Sequence, residues 1–476
     1  MKRSRHLKRN NIRPREISGL WLGKLLAIGT RLGGQGGTTL PGRAASALSP
    51  LLLASLAGQL RRGSLVITGT NGKTTTAYLL ANIFRQSGFS VVHNRTGANL
   101  AWGITSALLS ASTFCGHLPY DLGVMESDEG AFPGVVQAIQ PRGAVITNIF
   151  RDQLDRYGEV DQIRSMIGQG LEALPEGAPV ALNADDPSVV YLEQQHHRFL
   201  PIYYGFSINL PQARYQNTGQ DIKSCPLCGR KLTYTTIHYA HLGRYRCPSC
   251  KFRRPDPEVR LINFNPEPHG ITGITIAFPT ENVTVHYPLP GIYNLYNALA
   301  AAACAWAWGL STRDITAGLE QAVPSFGRME SFQINNRAVL MGLIKNPVGA
   351  NEVLRTFLES RERINLLIAI NDNYADGTDI SWLWDVDFEQ LAGARNQLGT
   401  LAVSGIRAAD MGVRLKYAGL EPALITVEPV LKRALEQTLQ SSRDEDTIFI
   451  LPTYTAMLAL RRVINRLGAA RPFWEV

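Results

Sequence analysis

Between Gly63 and about Pro211 short β-branched runs alternate with stretches of helical periodicity, the pattern of βα units around a parallel sheet. The expected strands are Val66-Ile67, Val91-Val92, Leu122-Gly-Val-Met125, Ala144-Val-Ile-Thr147 and Val180-Ala-Leu182. Each ends in a polar residue: Thr68, His93, Glu126, Asn148 and Asn183. Ligands of open α/β sheets bind outside the carboxyl ends of the strands, so function is expected at these ends. From Asp221 to about Pro257 the pattern breaks, with four cysteines, many arginines and few aliphatic residues, as an insertion would. Beyond it, 271–278 and 283–287 alternate like antiparallel strands, and the alanine-rich run 294–308 predicts a helix. Val323-Pro-Ser-Phe-Gly-Arg328 reads as a linker, because Pro and Gly stop the helix. A second βα series follows, with strands at 366–370, 401–403, 423–427 and 447–451. The expected organisation is a basic, amphipathic segment at 1–58, a central domain at 59–323 with its insertion at 222–256, and a smaller α/β domain at 324–476.

The chain has 476 residues, too many for one ordinary core, and its 45% hydrophobic and 18% charged content is that of a globular protein. A net charge of +9 suits an anionic partner: nucleic acid, a phosphate-rich substrate or an acidic membrane surface. Part of the excess lies in the arm Met1-Lys-Arg-Ser-Arg-His-Leu-Lys-Arg-Asn10. The segment 20–32 is interrupted by Lys24 and Arg31, too short and too charged to span a bilayer. No cleavage site follows a clean apolar run, so a cytoplasmic location is expected. The basic N-terminus could rest on a membrane surface, although packing on its own domain is the favoured reading.

The strongest chemical signal is Ser64-Leu-Val-Ile-Thr-Gly-Thr-Asn-Gly-Lys-Thr-Thr-Thr76, an apolar strand running into a glycine loop that opens a helix. Gly69, Thr70, Asn71, Gly72, Lys73, Thr74 and Thr75 form a phosphate cradle. The two glycines let backbone N–H groups turn inward, Lys73 reaches the outer phosphates, and the Thr74 hydroxyl can ligate Mg²⁺. Ile67 stands where the usual P-loop has its first glycine. After another strand, Glu126 can hold Mg²⁺ opposite Thr74, whereas Asp128 and Glu129 are expected to be exposed or capping charges. Asn148 could read a base edge, with Asp152 and Asp155 shaping the metal surroundings or serving as solvated helix-start charges.

Cys225-Pro-Leu-Cys228 and Cys247-Pro-Ser-Cys250 have the spacing of a zinc ribbon with a closed four-sulfur shell. His238 and His241 read as strand residues inside it rather than ligands, and Cys115 and Cys304 as buried thiols. Arg244, Arg246, Lys251, Arg253 and Arg254 make the ribbon basic, so a zinc-ribbon NTPase acting on nucleic acid is a rival reading. The ribbon aromatics lack stacking-platform spacing, and no nucleic-acid partner is expected.

Together these residues resemble the Mur ligase superfamily, ATP-dependent enzymes that activate a carboxylate as an acyl phosphate and form an amide. The matching pieces are Gly69–Thr75, Glu126, Thr147-Asn148 with Asp152-Gln-Leu-Asp155, Leu182-Asn-Ala-Asp-Asp-Pro187, Tyr293-Asn-Leu-Tyr-Asn-Ala-Leu299 and Gly327-Arg-Met-Glu330. There are departures: Gln153 and Tyr293 stand where the superfamily's peptide ligases usually carry His. No lysine occurs between Lys73 and Lys223 to be carbamylated, and the phosphate loop comes too early for a UDP-sugar-binding domain to precede it. With the ribbon, Lys345-Asn-Pro-Val-Gly-Ala-Asn351 and the block Asn371-Asp-Asn-Tyr-Ala-Asp-Gly-Thr-Asp-Ile-Ser-Trp-Leu-Trp384, the chain resembles the MurT family of that superfamily.

The resemblance implies a Mur-type central P-loop ATPase domain with an inserted four-cysteine zinc ribbon and a C-terminal Rossmann-like α/β domain closing over ATP. It implies amidation of the D-glutamate α-carboxylate in the lipid II stem peptide, with ATP, Mg²⁺ and Zn²⁺ as cofactors. Ammonia would come from a class I glutamine amidotransferase partner of the GatD type, docked on the C-terminal domain; no Cys-His-Glu glutaminase constellation is seen in this chain. By the same resemblance Asn148 and Asn294 would contact adenine and Arg328 the nucleotide phosphates. Asp376 or Asp379 would orient ammonia and accept its proton. Asn346, Asn371 and Asp372 would shape the acceptor site or cap turns. A folylpolyglutamate-type ligase, adding an amino acid rather than ammonia, is the second alternative.

Overall fold

A computed structural model of the protein describes residues 14–32, 39–94, 98–151, 160–208, 222–266, 272–323, 328–358, 363–444 and 446–468. The first βα series builds β1 (Ser64–Thr68), β2 (Val91–His93), β3 (Leu122–Glu126), β4 (Gly143–Ile146), β5 (Pro179–Asn183) and β6 (Leu200–Phe206). The insertion contributes the antiparallel pair β7 (Thr233–Tyr239) and β8 (Leu242–Arg246). β9 (Val259–Pro266), β10 (Thr272–Ala277) and β11 (Asn282–Tyr287) then extend the first sheet to nine strands in the order β11-β10-β9-β6-β5-β4-β1-β3-β2. Its β-branched half is parallel, and the alternating strands β10 and β11 are antiparallel, as their patterns predict.

The period-two alternation of β1 divides its side chains between two cores. Leu65 and Ile67 pack with the residues of α4 (Lys73–Gln86) and the alanine run of α9 (Ile292–Ala307). Val66 faces the opposite side, where α1 (Ile17–Leu32), α2 (Leu40–Leu48), α3 (Leu52–Ala57), α5 (Ala101–Ala111), α6 (Phe132–Ile139) and α7 (Val160–Glu172) lie. With both faces covered, the strand reads as a continuous apolar run. α8 (Pro187–Gln195) starts at Asp186, whose carboxylate accepts from Ser188 N at 2.8 Å and Val189 N at 3.4 Å. α10 (Thr312–Glu320) follows α9.

The second series forms its own six-stranded sheet, β12-β13-β17-β14-β15-β16. Its strands are β12 (Arg328–Ile334), β13 (Arg337–Gly342), β14 (Ile364–Ala369), β15 (Leu398–Ser404), β16 (Ile425–Val427) and β17 (Thr447–Pro452). Leu366 and Ile368 face α11 (Pro347–Leu358), α12 (Glu389–Gly393) and α13 (Ala408–Tyr417). Leu367 and Ala369 face α14 (Leu431–Ser441) and α15 (Tyr454–Arg466). The β12–β13 hairpin has no counterpart in the sequence expectations. β12 forms the sheet edge, β13 pairs with β12 on one side and β17 on the other, and the hairpin places Phe332, Ile334, Val339 and Met341 in one core and Met329 in the other. The linker residues 324–327 lie outside the described residues, as does the Arg328 side chain.

Candidate active site

β1 lies between β3 and β4 although the chain visits β2 and β3 before β4, so the strand order reverses at β1. A crevice opens at the carboxyl ends of these three strands. Register puts Ile67 beside Glu126 and Thr68 beside Ile146, gathering the glycine loop, Glu126 and Asn148 at one sheet edge. Gly69 and Gly72 hold φ of 120° and 85°, which L side chains rarely adopt, and a Cβ at Gly72 would come within 2.1 Å of Asn297 Oδ1. Lys73 begins α4 with its ammonium folded back on the loop. Its Nζ donates to Gly69 O at 2.5 Å and Thr70 O at 3.2 Å, and pairs with Glu129 Oε2 at 3.0 Å.

Glu129 and Asp128 are buried rather than exposed: the turn after β3 folds under the loop and brings Glu129 to the lysine, while Asp128 takes the capping alternative, its Oδ1 accepting from Gly130 N at 3.1 Å ahead of α6. Glu126 is buried too, and its Oε2 has no hydrogen-bond partner among the described residues. An orphaned carboxylate oxygen beside a phosphate loop fits a divalent cation, and the partly buried Thr74 of that loop offers a hydroxyl as a further ligand. Asn148 bonds to the backbone of the loop. Its Oδ1 accepts from Asn71 N at 2.9 Å and its Nδ2 donates to Asn71 O at 3.1 Å, so the carboxamide braces the loop. Asn294 sits buried at the start of α9, donating to Pro290 O at 2.7 Å and accepting from Asn297 Nδ2 at 3.2 Å. Asn297 was not singled out from sequence; it backs the loop, with Thr76 Oγ1 3.4 Å from its Oδ1. Asp152, Gln153 and Asp155 lie outside the described residues.

The loop also touches the second sheet. Asn346, at the start of α11, accepts from Gly349 N at 2.8 Å, and its Nδ2 donates to Asn71 Oδ1 at 3.1 Å. A cleft enclosing about 660 Å³ of empty space, part of it open solvent, lies between the sheets there. Asn71, Gly72, Asn148, Asn297, Lys345 and Glu352 line it, together with Tyr239 of β7 from the inserted hairpin.

On the same edge of the second sheet, loops after β14, β15 and β17 converge. Asn371 N donates to Thr453 Oγ1 at 2.9 Å, Asn371 Nδ2 to Thr455 Oγ1 at 3.0 Å, and Ile406 N to Asn371 Oδ1 at 3.0 Å. Asp372 pairs with Arg407 at 2.6 Å. Asp376 accepts from Thr455 N at 2.7 Å, Thr455 Oγ1 at 2.5 Å and Asn373 N at 3.2 Å. Burial raises its pKa above the ordinary carboxylate value, partly offset by those donors. Asp379 accepts from Ser381 through both oxygens, from its N at 2.8 Å and its Oγ at 2.9 Å, closing a tight turn just before the helical turn at Ser381–Asp385. Burial first, then the charges of Asp376 and Glu126, raise the phenol pKa of Tyr454 at the start of α15.

The four cysteine sulfurs lie within 4.8 Å of one another, with Cys225–Cys250 at 3.6 Å and Cys228–Cys247 at 3.5 Å. Four thiolates at the corners of a tetrahedron with Zn–S near 2.3 Å stand about 3.8 Å apart, so the group fits zinc. The ribbon hairpin packs into the central domain. Asp185 is fully buried and accepts from Tyr296 OH at 2.7 Å and Phe206 N at 2.8 Å, and it pairs with Arg254 of the insertion. His241 Nε2 lies 3.4 Å from Asp186 Oδ1, and Asp186 Oδ2 accepts from Ile149 N at 2.8 Å. His238 is fully buried, and desolvation pushes its pKa down to about 4, with Arg254 and Arg244 adding to the effect and Asp185 opposing it. Cys304 is buried, its thiol pushed up to about 12 by desolvation. Cys115 is exposed rather than buried, because it falls in the turn that leaves α5.

The family model of the Mur ligase middle domain matches residues 67–247, and that of the MurT ligase C-terminal domain matches residues 343–457. The chain is 34% identical over 452 residues to the lipid II isoglutaminyl synthase (glutamine-hydrolyzing) subunit MurT of Staphylococcus aureus, spanning 95% of this chain and 98% of that one. It is 35% identical over 431 residues to the protein of the same name from Streptococcus pneumoniae, spanning 90% and 92%. Among solved structures it is similar to a pseudomurein peptide ligase type C from Methanothermus fervidus, with a TM-score of 0.64 and 24% identity over 86% of this chain and 79% of that one. That last likeness speaks to the fold alone.

Proposed function

The chain belongs to the MurT family of Mur ligases, ATP-dependent ligases of peptidoglycan synthesis, and from that premise we propose that it amidates the D-glutamate α-carboxylate of the lipid II stem peptide to D-isoglutamine. The observation that carries this reading is a pair of buried carboxylates, Glu126 at the phosphate loop with an unpartnered oxygen and Asp376 in the loop after β14, held by Thr455. One suits activation with ATP, and the other suits capture of ammonia.

In this mechanism Lys73 and the loop N–H groups neutralise the γ-phosphate while Asn148 and Asn346 hold the loop in shape. Thr74 and Glu126 would hold Mg²⁺, which supplies charge neutralisation at the β- and γ-phosphate oxygens. A substrate carboxylate oxygen attacks the γ-phosphorus in line, the bond to the β,γ-bridging oxygen breaks, and ADP leaves. The nitrogen of ammonia then adds to the acyl carbon, phosphate departs with its oxygen, and Asp376 takes the proton released from nitrogen. Ammonium has no lone pair to attack with, so a positioned carboxylate of raised pKa is the suitable acceptor. Asp379 is held in a tight turn and serves structure. Arg328 would approach the nucleotide phosphates and Asn294 the base from the start of α9. ATP handling belongs to residues 59–323 and the acceptor side to 324–476.

Ammonia would be supplied by a GatD-type glutaminase subunit docked on the second domain. The protein would then act at the inner face of the cytoplasmic membrane, where its lipid-linked substrate is found; no helix among the described residues is long and apolar enough to cross a membrane. Incubation with detergent-solubilised lipid II, ATP, Mg²⁺ and ammonium chloride tests the proposal by mass spectrometry. The expected product carries an amide in place of one carboxyl group. Unchanged lipid II with intact ATP binding overturns it, and an amino-acid adduct instead favours the folylpolyglutamate-type reading.

A further inference from the structure

α1 is oriented opposite to an ordinary surface helix. Lys24, at its centre, is buried, with Nζ donating to Leu109 O at 2.8 Å and Ser112 O at 2.7 Å, the carbonyls that end α5. There the ammonium meets the negative end of a helix dipole. The outward face instead carries Ile17, Trp21, Leu22, Leu25 and Ile28, with Trp21 57% and Leu25 66% exposed. Trp21 Nε1 donates to the carbonyl of Phe114, whose ring is 64% exposed, so the apolar surface continues beyond the helix. A soluble helix packed on its domain shows the reverse polarity. A contiguous exposed apolar surface of this kind marks an interaction site.

The charge around it points to the occupant. Residues 1–63 hold twelve Lys and Arg against one acidic residue, Glu16, so this segment carries more positive charge than the whole chain's net +9. Glu16 is buried, and no acidic side chain lies in α1 or α2 to repel an anionic surface. We propose that α1 is a membrane-docking element, its Trp21–Leu25–Ile28 face seated at the headgroup boundary of an anionic bilayer, with the net positive charge of residues 1–63 adding attraction to that surface. Tryptophan and leucine favour that boundary, and basic residues beside it add attraction that salt screens. The inference rests on α1 and its charge; the proposed lipid-linked substrate supplies a use for it.

Sedimentation of the full chain with substrate-free vesicles tests it. Binding to phosphatidylglycerol-containing vesicles is expected to exceed binding to phosphatidylcholine vesicles at least about tenfold at moderate salt. The double change Trp21→Ser and Leu25→Ser is expected to reduce it by a similar factor while nucleotide binding and circular dichroism stay unchanged. In the unaltered chain, brominated lipid should quench tryptophan emission, and Trp21→Phe should remove that quenching without loss of binding. Equal affinity for both vesicles, no binding to either, or full binding by the double variant overturns the proposal. So does a double variant that changes the protein's oligomeric state in solution, which would assign the face to a second copy. Lipid II amidation in detergent is scored separately, so failure here leaves the enzymatic reading standing, and the reverse.

Discussion

Asp376 is buried with three donors on its carboxylate, and burial rather than a neighbouring charge raises its pKa. Asp376→Asn keeps the size but cannot accept a proton, so amide formation should fall at least about 100-fold with nucleotide affinity retained. Normal amidation by this variant would remove Asp376 from the mechanism. Lys73 and Glu129 make a second buried pair, at 3.0 Å. Lys73→Met strands the Glu129 charge and should cost about 3 kcal/mol in denaturant unfolding. Adding Glu129→Gln should recover most of that stability without restoring ATP turnover; a Lys73→Met protein as stable as the original would show that the pair does not matter to the fold. His238 sets a pH dependence. Its pKa is about 4 folded against 6.5 unfolded, so it is neutral in the fold and the unfolded chain binds the extra proton. Its contribution is therefore complete above about pH 6.5 and is lost as pH falls toward 4, by about 3 kcal/mol in all. His238→Phe should flatten the melting temperature over that window, and an unchanged slope would point to another group.

Among the elements, the inserted ribbon has the longest reach. Its hairpin places Tyr239 in the cleft between the sheets, and Phe150 lies 5.9 Å from Tyr239 and 4.8 Å from His241, ring centre to ring centre. Phe150 N in turn donates to Thr70 Oγ1 of the phosphate loop at 3.0 Å. The ribbon hairpin thus supports the loop through packed aromatic rings. Stripping the metal with a chelator should weaken binding of a fluorescent nucleotide roughly tenfold or more, and zinc should restore it. Undiminished affinity in the metal-free protein would confine the ribbon to its own local fold. The cysteine spacing made the metal site legible in sequence, because two short knuckles suffice to bring four thiolates together. Tyr239 was not legible, since nothing local to β7 says which domain its face meets. α1 shows the same limit: its apolar residues were visible, but which of them α2 and α5 cover was not.

At the scale of the whole molecule, two sheets turn their carboxyl edges toward one cleft, and Asn71 and Asn346 join them across 275 positions of sequence. A nucleotide held by both sheets should stabilise both. With Mg-nucleotide about a hundredfold above its Kd, mass action adds about 2.7 kcal/mol, and calorimetry should show the unfolding of both halves moving up together. A scan in which only one half shifts would place the nucleotide on one sheet. The sequence alone determined what is encoded within a few turns or strands: the glycine loop, the βα alternation, the ribbon spacing and the motif order that carries the family. Those signals are local, set by backbone freedom at Gly69 and Gly72 and by side-chain period. Tertiary structure decided which polar groups meet. It brought Glu129 to Lys73, turned Asn148 onto the loop, set Asp376 rather than Asp379 in a buried pocket, and turned Lys24 inward so that Trp21 faces out. These pairings depend on burial and on contacts between distant segments, which no local pattern records.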